Sequence, residues 1–139
     1  MSHLIGDKVP APLRFELGAR PPAGANAHAV LLATVDDDGS PRVAILSTAE
    51  IVVTDERTLR LELRAGTATC ANVEERKKVA LWYVLDAAAY TIKGTMTGSV
   101  GATEEGWRSF DVAVDAVWQD FEAGAPMVSG PTYRVPAPD

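Results

Sequence analysis

Residues 29–47 read AVLLATVDDDGSPRVAILS, two apolar runs on either side of an acidic turn that contains a glycine. The Asp38-Gly39 pair in this turn is a strong hairpin signal, because glycine adopts the positive φ that tight turns need at little cost. The valines and the isoleucine that flank the turn are typical of strands. The segment therefore predicts a β-hairpin, and with it a fold dominated by antiparallel pairing.

Further strand patterns follow the hairpin along the chain. Residues 58–64, TLRLELR, alternate leucines with charged or polar side chains, which indicates a strand with one buried face. Residues 79–85, VALWYVL, are almost wholly apolar and predict a strand buried on both faces. A threonine-rich strand is expected at 90–100, where Gly94 and Gly98 indicate bulges or a close backbone approach. Short strands are also expected at 51–53 and 132–135.

Two helices are predicted from apolar residues at helical spacing. Residues 68–77 would bury Cys70 and Val73, which lie three apart. Residues 104–122 would bury the side chains that recur every three or four positions, with Thr103 as the N-cap. The members of that second stripe are Trp107, Phe110, Val114, Val117 or Trp118, and Phe121.

The order β-β-β-α-β-β-α-β defines the expected fold class. It is mainly β (α+β), a six-stranded antiparallel barrel, closed or split, with two flanking helices. Residues 1–27 are rich in proline, glycine and alanine and predict an N-terminal arm with at most one short element. Residues 28–139 are expected to form a single domain, as suits a chain of 139 residues.

Composition excludes several classes of protein. The net charge of −6 gives no basic surface for DNA or RNA, so no nucleic-acid partner is expected. The single cysteine, Cys70, excludes a disulfide-stapled secreted scaffold and is expected to be a buried, inert thiol. The N-terminus lacks the pattern of a secretory signal, and no apolar run approaches the ~20 residues of a membrane helix. We therefore expect a cytoplasmic protein without a membrane partner.

No metal site or nucleophilic centre is predicted. The aspartates at 36–38 lack the alternating ligands and the closing glutamate of a calcium loop, and they favour a solvated turn. His3 and His28 are far apart and have no partners at zinc-ligand spacing, and no Ser-His-Asp signature is present. The glycines after residue 93 do not fit the dinucleotide fingerprint.

The strongest chemical signal is RAGTAT at 64–69, between a strand and a helix. Free N–H groups at a helix N-terminus bind anions, Arg64 adds a charge that suits phosphate, and Thr67 and Thr69 add hydroxyl donors. The alternative is that Thr67 is only an N-cap and Arg64 only a surface residue of its strand.

The order and spacing of these motifs resemble the pyridoxamine 5'-phosphate oxidase-like FMN-binding split barrels. The similar stretches are LLATVDDDGSPRVAILS, TLRLELRAGTATCANVEERKKVALWYV and YTIKGTMTGSV, which together cover roughly 29–101. The resemblance implies a homodimer with FMN in a groove between the subunits. It also implies a set of cofactor-binding residues. These are Ala44, Ile45, Leu46, Ser47 and Thr48 along the flavin, Arg64, Thr67, Ala68 and Thr69 at the phosphate, and Asn72 as a cofactor contact or a brace of the turn.

The chain departs from that family at one informative place. Oxidases of the family have an Arg-Lys pair where this chain has Ala68-Thr69, so cationic clamping of the phosphate is weaker. Deazaflavin and haem, which related split barrels use, are therefore alternative cofactors. The resulting hypotheses are a flavin-dependent oxidoreductase of unknown substrate and catalytic residues, or a non-catalytic dimer that binds a cofactor as carrier or sensor.

Overall fold

The computed structural model describes residues 1–137 and contains eleven regular elements, together with a 3-10 turn at Thr48–Glu50. The strands are β1 (Ser2–Gly6), β2 (Asn26–Val35), β3 (Pro41–Ser47), β4 (Ile51–Asp55), β5 (Thr58–Arg64), β6 (Lys78–Leu85), β7 (Ala88–Ala102), β8 (Trp107–Asp120) and β9 (Thr132–Arg134). The helices are α1 (Ala11–Glu16) and α2 (Ala68–Arg76).

All strand pairs are antiparallel, and the main path through the sheet is β3-β2-β6-β7-β8-β5-β4. Strand β1 adds to β8, and β9 adds to β2. Leu46 and Ile51, from the two end strands of the path, lie in the same buried cluster, so the sheet curls around one core. The predicted mainly β class is confirmed, although the described residues form nine strands rather than six.

The hairpin that opens the sequence is present as predicted. Strands β2 and β3 pair from Ala29 opposite Ser47 to Val35 opposite Pro41. The turn closes through the Asp36 N–H, which donates to the Ser40 carbonyl at 2.8 Å, and Gly39 has the positive φ of 86° that the turn requires. The hairpin carries β3 to the end of the main sheet path, where the site lies.

The predicted strand at 58–64 and the first predicted helix are also confirmed. Leu59, Leu61 and Leu63 of β5 are buried, and α2 buries Cys70 and Val73. Neither helix in residues 1–137 has the length and hydrophobicity needed to cross a bilayer.

The helix predicted over 104–122 is wrong, because most of these residues form strand β8. In this strand Phe110, Val112 and Val114 are buried in strict alternation, which is the period of a strand. The β-branched valines also favour this conformation.

A bulge in β8 explains why the sequence looked helical. Lys93 of β7 pairs with Ala116 and Gly94 pairs with Val114, so Asp115 is an extra residue in β8. The buried alternation therefore passes from even to odd positions, and Val117 is the next core residue. The resulting spacing of 110, 114 and 117 imitates a helical stripe.

Strand β7 contains the irregularities that its glycines indicated. The register with β8 shifts between Lys93 and Gly94 and again between Met96 and Gly98. A Cβ at Gly94 would lie 2.5 Å from Cγ1 of Val112 and 2.9 Å from the Ala113 carbonyl oxygen, so only glycine permits this approach of the strands.

The N-terminal arm has more structure than predicted, since it contains both β1 and α1. Val9, Leu13 and Leu17, spaced four apart, are buried in the common core. Proline does not prevent the helix, because Pro10 is its N-cap and Pro12 lies in its first turn, where a missing N–H costs nothing. Residues 1–27 therefore contribute to the barrel core.

Candidate functional site

A pocket of about 400 Å³ lies where β3, the end of β5, the start of α2 and the start of β8 meet. This volume is in the range of small-molecule sites. Its lining residues are Ala44, Ile45, Leu46, Glu50, Leu63, Arg64, Thr67, Thr69 and Trp107. Six of the predicted cofactor residues are in that set, namely Ala44, Ile45, Leu46, Arg64, Thr67 and Thr69.

Strand β3 forms one wall of the pocket. Among the described residues β3 pairs only with β2, so its other edge presents backbone N–H and C=O groups that have no strand partner. Leu46 points into the core and is buried, whereas Ile45 is 70% exposed. The wall therefore offers an apolar side chain and free backbone hydrogen-bonding groups to a ligand.

The first turn of α2 forms the opposite wall. Thr67 is the N-cap: its hydroxyl accepts from the Cys70 N–H at 3.2 Å and donates to the Arg64 carbonyl at 2.8 Å. The first helical hydrogen bond runs from the Ala71 N–H to the Thr67 carbonyl. The N–H groups of Ala68 and Thr69 precede it and have no helical acceptor, so they can bind an anion.

Arg64 brings a positive charge to this wall. Its Cζ lies 4.3 Å from the centroid of the Trp107 ring, a cation–π contact, and its Nη1 lies 3.4 Å from the Glu105 carbonyl oxygen. Trp107 therefore orients the guanidinium at the pocket. Thr67 is therefore the helix cap that one reading of this segment predicts, and both Thr67 and Arg64 also line the pocket.

Glu50, Leu63 and Trp107 were not predicted as site residues. Glu50 ends the 3-10 turn after β3, and Leu63 precedes Arg64 in β5. Leu63 is adjacent to the predicted Arg64 and Glu50 lies two residues after the predicted Thr48, and this proximity in sequence was the available signal. Trp107 could not be found, because the sequence predicts a helix over 104–122, where the structure has strand β8.

Burial raises the pKa of the Glu50 carboxyl, and the nearby Glu62 carboxylate raises it as well. A hydrogen bond from the Ser47 backbone and the charge of Arg64 act in the opposite direction. Glu50 is thus a partly buried carboxyl on the wall of the pocket.

Ser47 and Thr48 lie beyond the pocket, at the end of β3. The Ser47 hydroxyl accepts from the Ala49 N–H at 3.1 Å and caps the 3-10 turn. The buried Thr48 hydroxyl donates to the Ala19 carbonyl at 2.7 Å. These contacts hold the end of the strand in place.

Asn72 lies on the side of α2 that faces the hairpin, and its side chain is 3% exposed. The amide nitrogen donates to Oγ1 of Thr34 at 3.1 Å and to Oδ1 of Asp36 at 2.7 Å, and the amide oxygen accepts from Arg76. Ala68 lines the neighbouring shallow cleft on this side. Asn72 therefore braces α2 against the hairpin rather than the β5–α2 turn, and it is not among the residues that line the pocket.

Asp36 joins that brace to β3. Its Oδ1 also accepts from Nε of Arg42 at 2.8 Å, and the bonds from Arg42 and Asn72 hold the pKa of the Asp36 carboxyl below its ordinary value. The hairpin and α2, which form the two walls of the pocket, are therefore fastened to each other.

Cys70 is buried on α2, 3% exposed, and burial raises the pKa of its thiol. A thiol with a raised pKa is a poor nucleophile at neutral pH. The structure therefore agrees with the prediction of an inert side chain.

Comparison with known structures gives the same architecture. A protein from Lactobacillus delbrueckii described as a pyridoxamine 5'-phosphate oxidase has a TM-score of 0.64 at 18% identity, covering 84% of this chain and 98% of its own. An FMN-binding protein from Syntrophomonas wolfei has a TM-score of 0.58 at 12% identity, covering 78% and 86%. An F420 reductase has a TM-score of 0.58 at 19% identity, covering 78% and 98%. At these identities the likeness shows the fold.

The family of the chain is identified by comparison of its sequence with family models. No curated protein matches the chain. The family model for pyridoxamine 5'-phosphate oxidase, however, matches residues 24–129, which include the hairpin, the β5–α2 turn and all but one of the strands β2 to β9. Because this match spans most of the chain and the fold agrees with it, the chain belongs to the pyridoxamine 5'-phosphate oxidase family.

Proposed function

We propose that the protein binds FMN in the pocket between β3 and α2 and acts as a flavin-dependent oxidoreductase. The observation that carries the proposal is the meeting of two features in one pocket. The free N–H groups of the α2 N-terminus and the Arg64 guanidinium suit a phosphate, and the unpaired edge of β3 suits a planar ring with polar edges.

The donors in the pocket fit the phosphate end of FMN. Arg64 and Thr69 line the pocket and offer the guanidinium, a backbone N–H and a hydroxyl as hydrogen-bond donors, and the Ala68 N–H belongs to the same helix N-terminus. The Thr67 hydroxyl already gives its proton to the Arg64 carbonyl, so Thr67 would contribute by fixing the turn. One guanidinium and a helix N-terminus replace the Arg-Lys pair of the family's oxidases.

The ring would lie along β3, against Ala44, Ile45 and Leu46. Bound FMN supplies the hydride or electron transfer, and the chain binds it, orients it and limits the access of water. Ser47 and Thr48 would support the end of this strand through their local bonds, and Asn72 would hold α2 against the hairpin.

We further propose that the working unit is a homodimer. On the outer face of the sheet, neighbouring strands place Val43, Ala33, Ala80, Lys93 and Ala116 directly beside one another. The last four line a largely apolar concavity of about 360 Å³. Val43, at the end of this row, precedes Ala44 of the pocket wall, so a second copy of the chain seated on the row would help to complete the groove.

A second candidate function is a non-catalytic carrier or sensor that binds deazaflavin, flavin or haem. The observation that favours it is that, among the residues the structure describes, Arg64 is the only cationic one lining the pocket. The similarity in fold to an F420 reductase makes a deazaflavin the first alternative to test.

The proposal is tested on the purified full chain. Its visible spectrum should show the absorption of oxidised flavin, and mass spectrometry of the ligand released on denaturation should give the mass of FMN. Oxidation of added reduced nicotinamide would then support the oxidoreductase. Bound cofactor without turnover would favour the carrier, and a colourless protein that takes up no FMN would overturn the proposal.

A further inference from the structure

Two charged side chains line the candidate pocket, and one of them has no role in the function proposed above. Arg64 lies on the α2 side, while Glu50 ends the 3-10 turn that follows β3, the strand on which the ring is expected. A carboxyl group in a pocket meant for an anionic ligand is unfavourable unless the ligand also offers a hydrogen-bond donor.

The surroundings of Glu50 show that its carboxyl is not there to complete an ion pair. Among the described residues no ion pair involves it, and the charged groups that face it are Glu62 and Arg64, both from β5. The pairing of Ile51 with Leu61 brings Glu50 close to Glu62, which repels it. The pocket residues from α2 and β8, Thr67, Thr69 and Trp107, carry no charge.

Partial burial beside another carboxylate costs free energy, and the raised pKa of Glu50 reflects this cost. A glutamine or a threonine would line the same wall without this free-energy cost. The cost is offset if a bound ligand donates a hydrogen bond to the carboxylate, because such charge-assisted bonds are among the stronger ones.

We propose that Glu50 is the hydrogen-bond acceptor that selects and orients the flavin in this pocket. Its carboxylate receives an N–H or O–H of the ring or the ribityl chain, while Arg64 and the α2 N-terminus hold the phosphate. The pocket then selects a ligand with an anion at one end and a donor group at the other. This inference rests on the proposed binding of FMN and adds a specificity determinant to it.

The test compares FMN with riboflavin, which has the ring and the ribityl chain but no phosphate. We expect Glu50→Gln, which keeps the size of the side chain, to weaken both ligands to a similar extent, by about tenfold, as for the loss of a charge-assisted bond. Glu62→Gln is the matched control, since it removes a neighbouring carboxylate that does not line the pocket, and it should leave riboflavin affinity at pH 8 unchanged. Thermal denaturation confirms that both variants are folded.

The pH dependence of riboflavin binding is the second readout. As the pH falls through the pKa of Glu50 the carboxylate acceptor is lost, so the wild-type affinity should fall and that of Glu50→Gln should stay level. Riboflavin is used here because the phosphate of FMN titrates near pH 6.

The binding results distinguish the role of Glu50 from the proposed function itself. If Glu50→Gln binds riboflavin as well as the wild type, or if it improves FMN binding alone, the carboxylate only repels the phosphate and the inference is wrong. If the wild type binds FMN while the variant shows no change, the proposed function stands without this residue. If the wild type binds neither flavin, the proposed function fails and the inference fails with it.

Discussion

Arg64 contributes the one guanidinium among the described residues that line the pocket, and its cation–π contact with Trp107 holds it there. We expect Arg64→Ala to weaken FMN binding by about 1.5–3 kcal/mol, the range for a hydrogen bond to a charged group. Riboflavin affinity should change little, because it has no phosphate. Titration calorimetry with both ligands measures the difference.

The control for Arg64 is Arg60→Ala, which removes a cation from the same strand. Arg60 pairs with Asp111 at 3.0 Å and does not line the pocket. If both variants lose FMN affinity equally, the effect is that of net charge, and the phosphate is bound elsewhere.

Asn72 belongs to the residue scale as well, because its amide group bonds to partners on β2, in the hairpin turn and on α2 itself. We expect Asn72→Ala to lower the free energy of unfolding by about 1–3 kcal/mol, since it leaves the buried Thr34 hydroxyl without its donor and removes one acceptor of the half-buried Arg76. Urea denaturation measures the change. A loss below a few tenths of a kcal/mol would show that these groups are rehydrated.

Asp36 makes the stability contributed by the contact between the hairpin and α2 depend on pH. Its pKa is lowered in the folded chain, so its stabilising effect is fully present above the ordinary value of 3.8 and is lost as the pH falls toward the folded value. Thermal denaturation of Asp36→Asn should therefore show a shallower loss of stability below about pH 5 than the wild type. Asp37→Asn, at the exposed neighbouring position, is the charge control. Parallel acid profiles for the wild type and Asp36→Asn would contradict the assignment.

At the scale of elements, the sequence predicts a strand or helix correctly where the residues that determine it are close together in the chain. The hairpin, β5 and α2 follow from turn chemistry, alternation and capping within ten residues, and the sequence predicts them correctly. Strand β8 does not follow from local signals. The bulge at Asp115 is defined by the pairing with β7, and it changes the period of the buried side chains in β8. The same difference applies to the site: the sequence predicts the turn at 64–69 as part of it, and it does not predict Trp107.

The contact between β7 and β8 has a direct test. Gly94→Ala would place a methyl group against Val112 and the Ala113 carbonyl, so we expect a loss of about 1–3 kcal/mol in the free energy of unfolding. Gly98→Ala is the matched control in the same strand, where an added Cβ meets nothing within 4 Å. Chemical denaturation of both variants measures the contrast, and equal stabilities would place the strands further apart than the structure does.

At the scale of the molecule, one chain leaves open a concavity on the sheet that is largely apolar, although Lys78, Lys93 and Asp115 also line it. Val43 is 63% exposed at the end of the row of side chains that crosses the outer face of the sheet. We expect the wild type to be a dimer by light scattering after gel filtration, and Val43→Glu to shift it toward monomer, because the charge would be buried in the interface.

Phe15→Glu controls for the introduced charge, since Phe15 is 85% exposed on α1 and lies outside both the row and the pocket. It should remain dimeric. A monomeric wild type at micromolar concentration would contradict the homodimer and require the pocket to be complete in one chain.

The binding of FMN by the full chain is the central claim, and a titration of the cofactor-free protein tests it most directly. Addition of protein to FMN, followed by the flavin fluorescence, should give a saturable change with one FMN for each chain, and Arg64→Ala should require a higher protein concentration. No saturable change at protein concentrations up to the millimolar range, or a change that Arg64→Ala leaves identical, would contradict the claim.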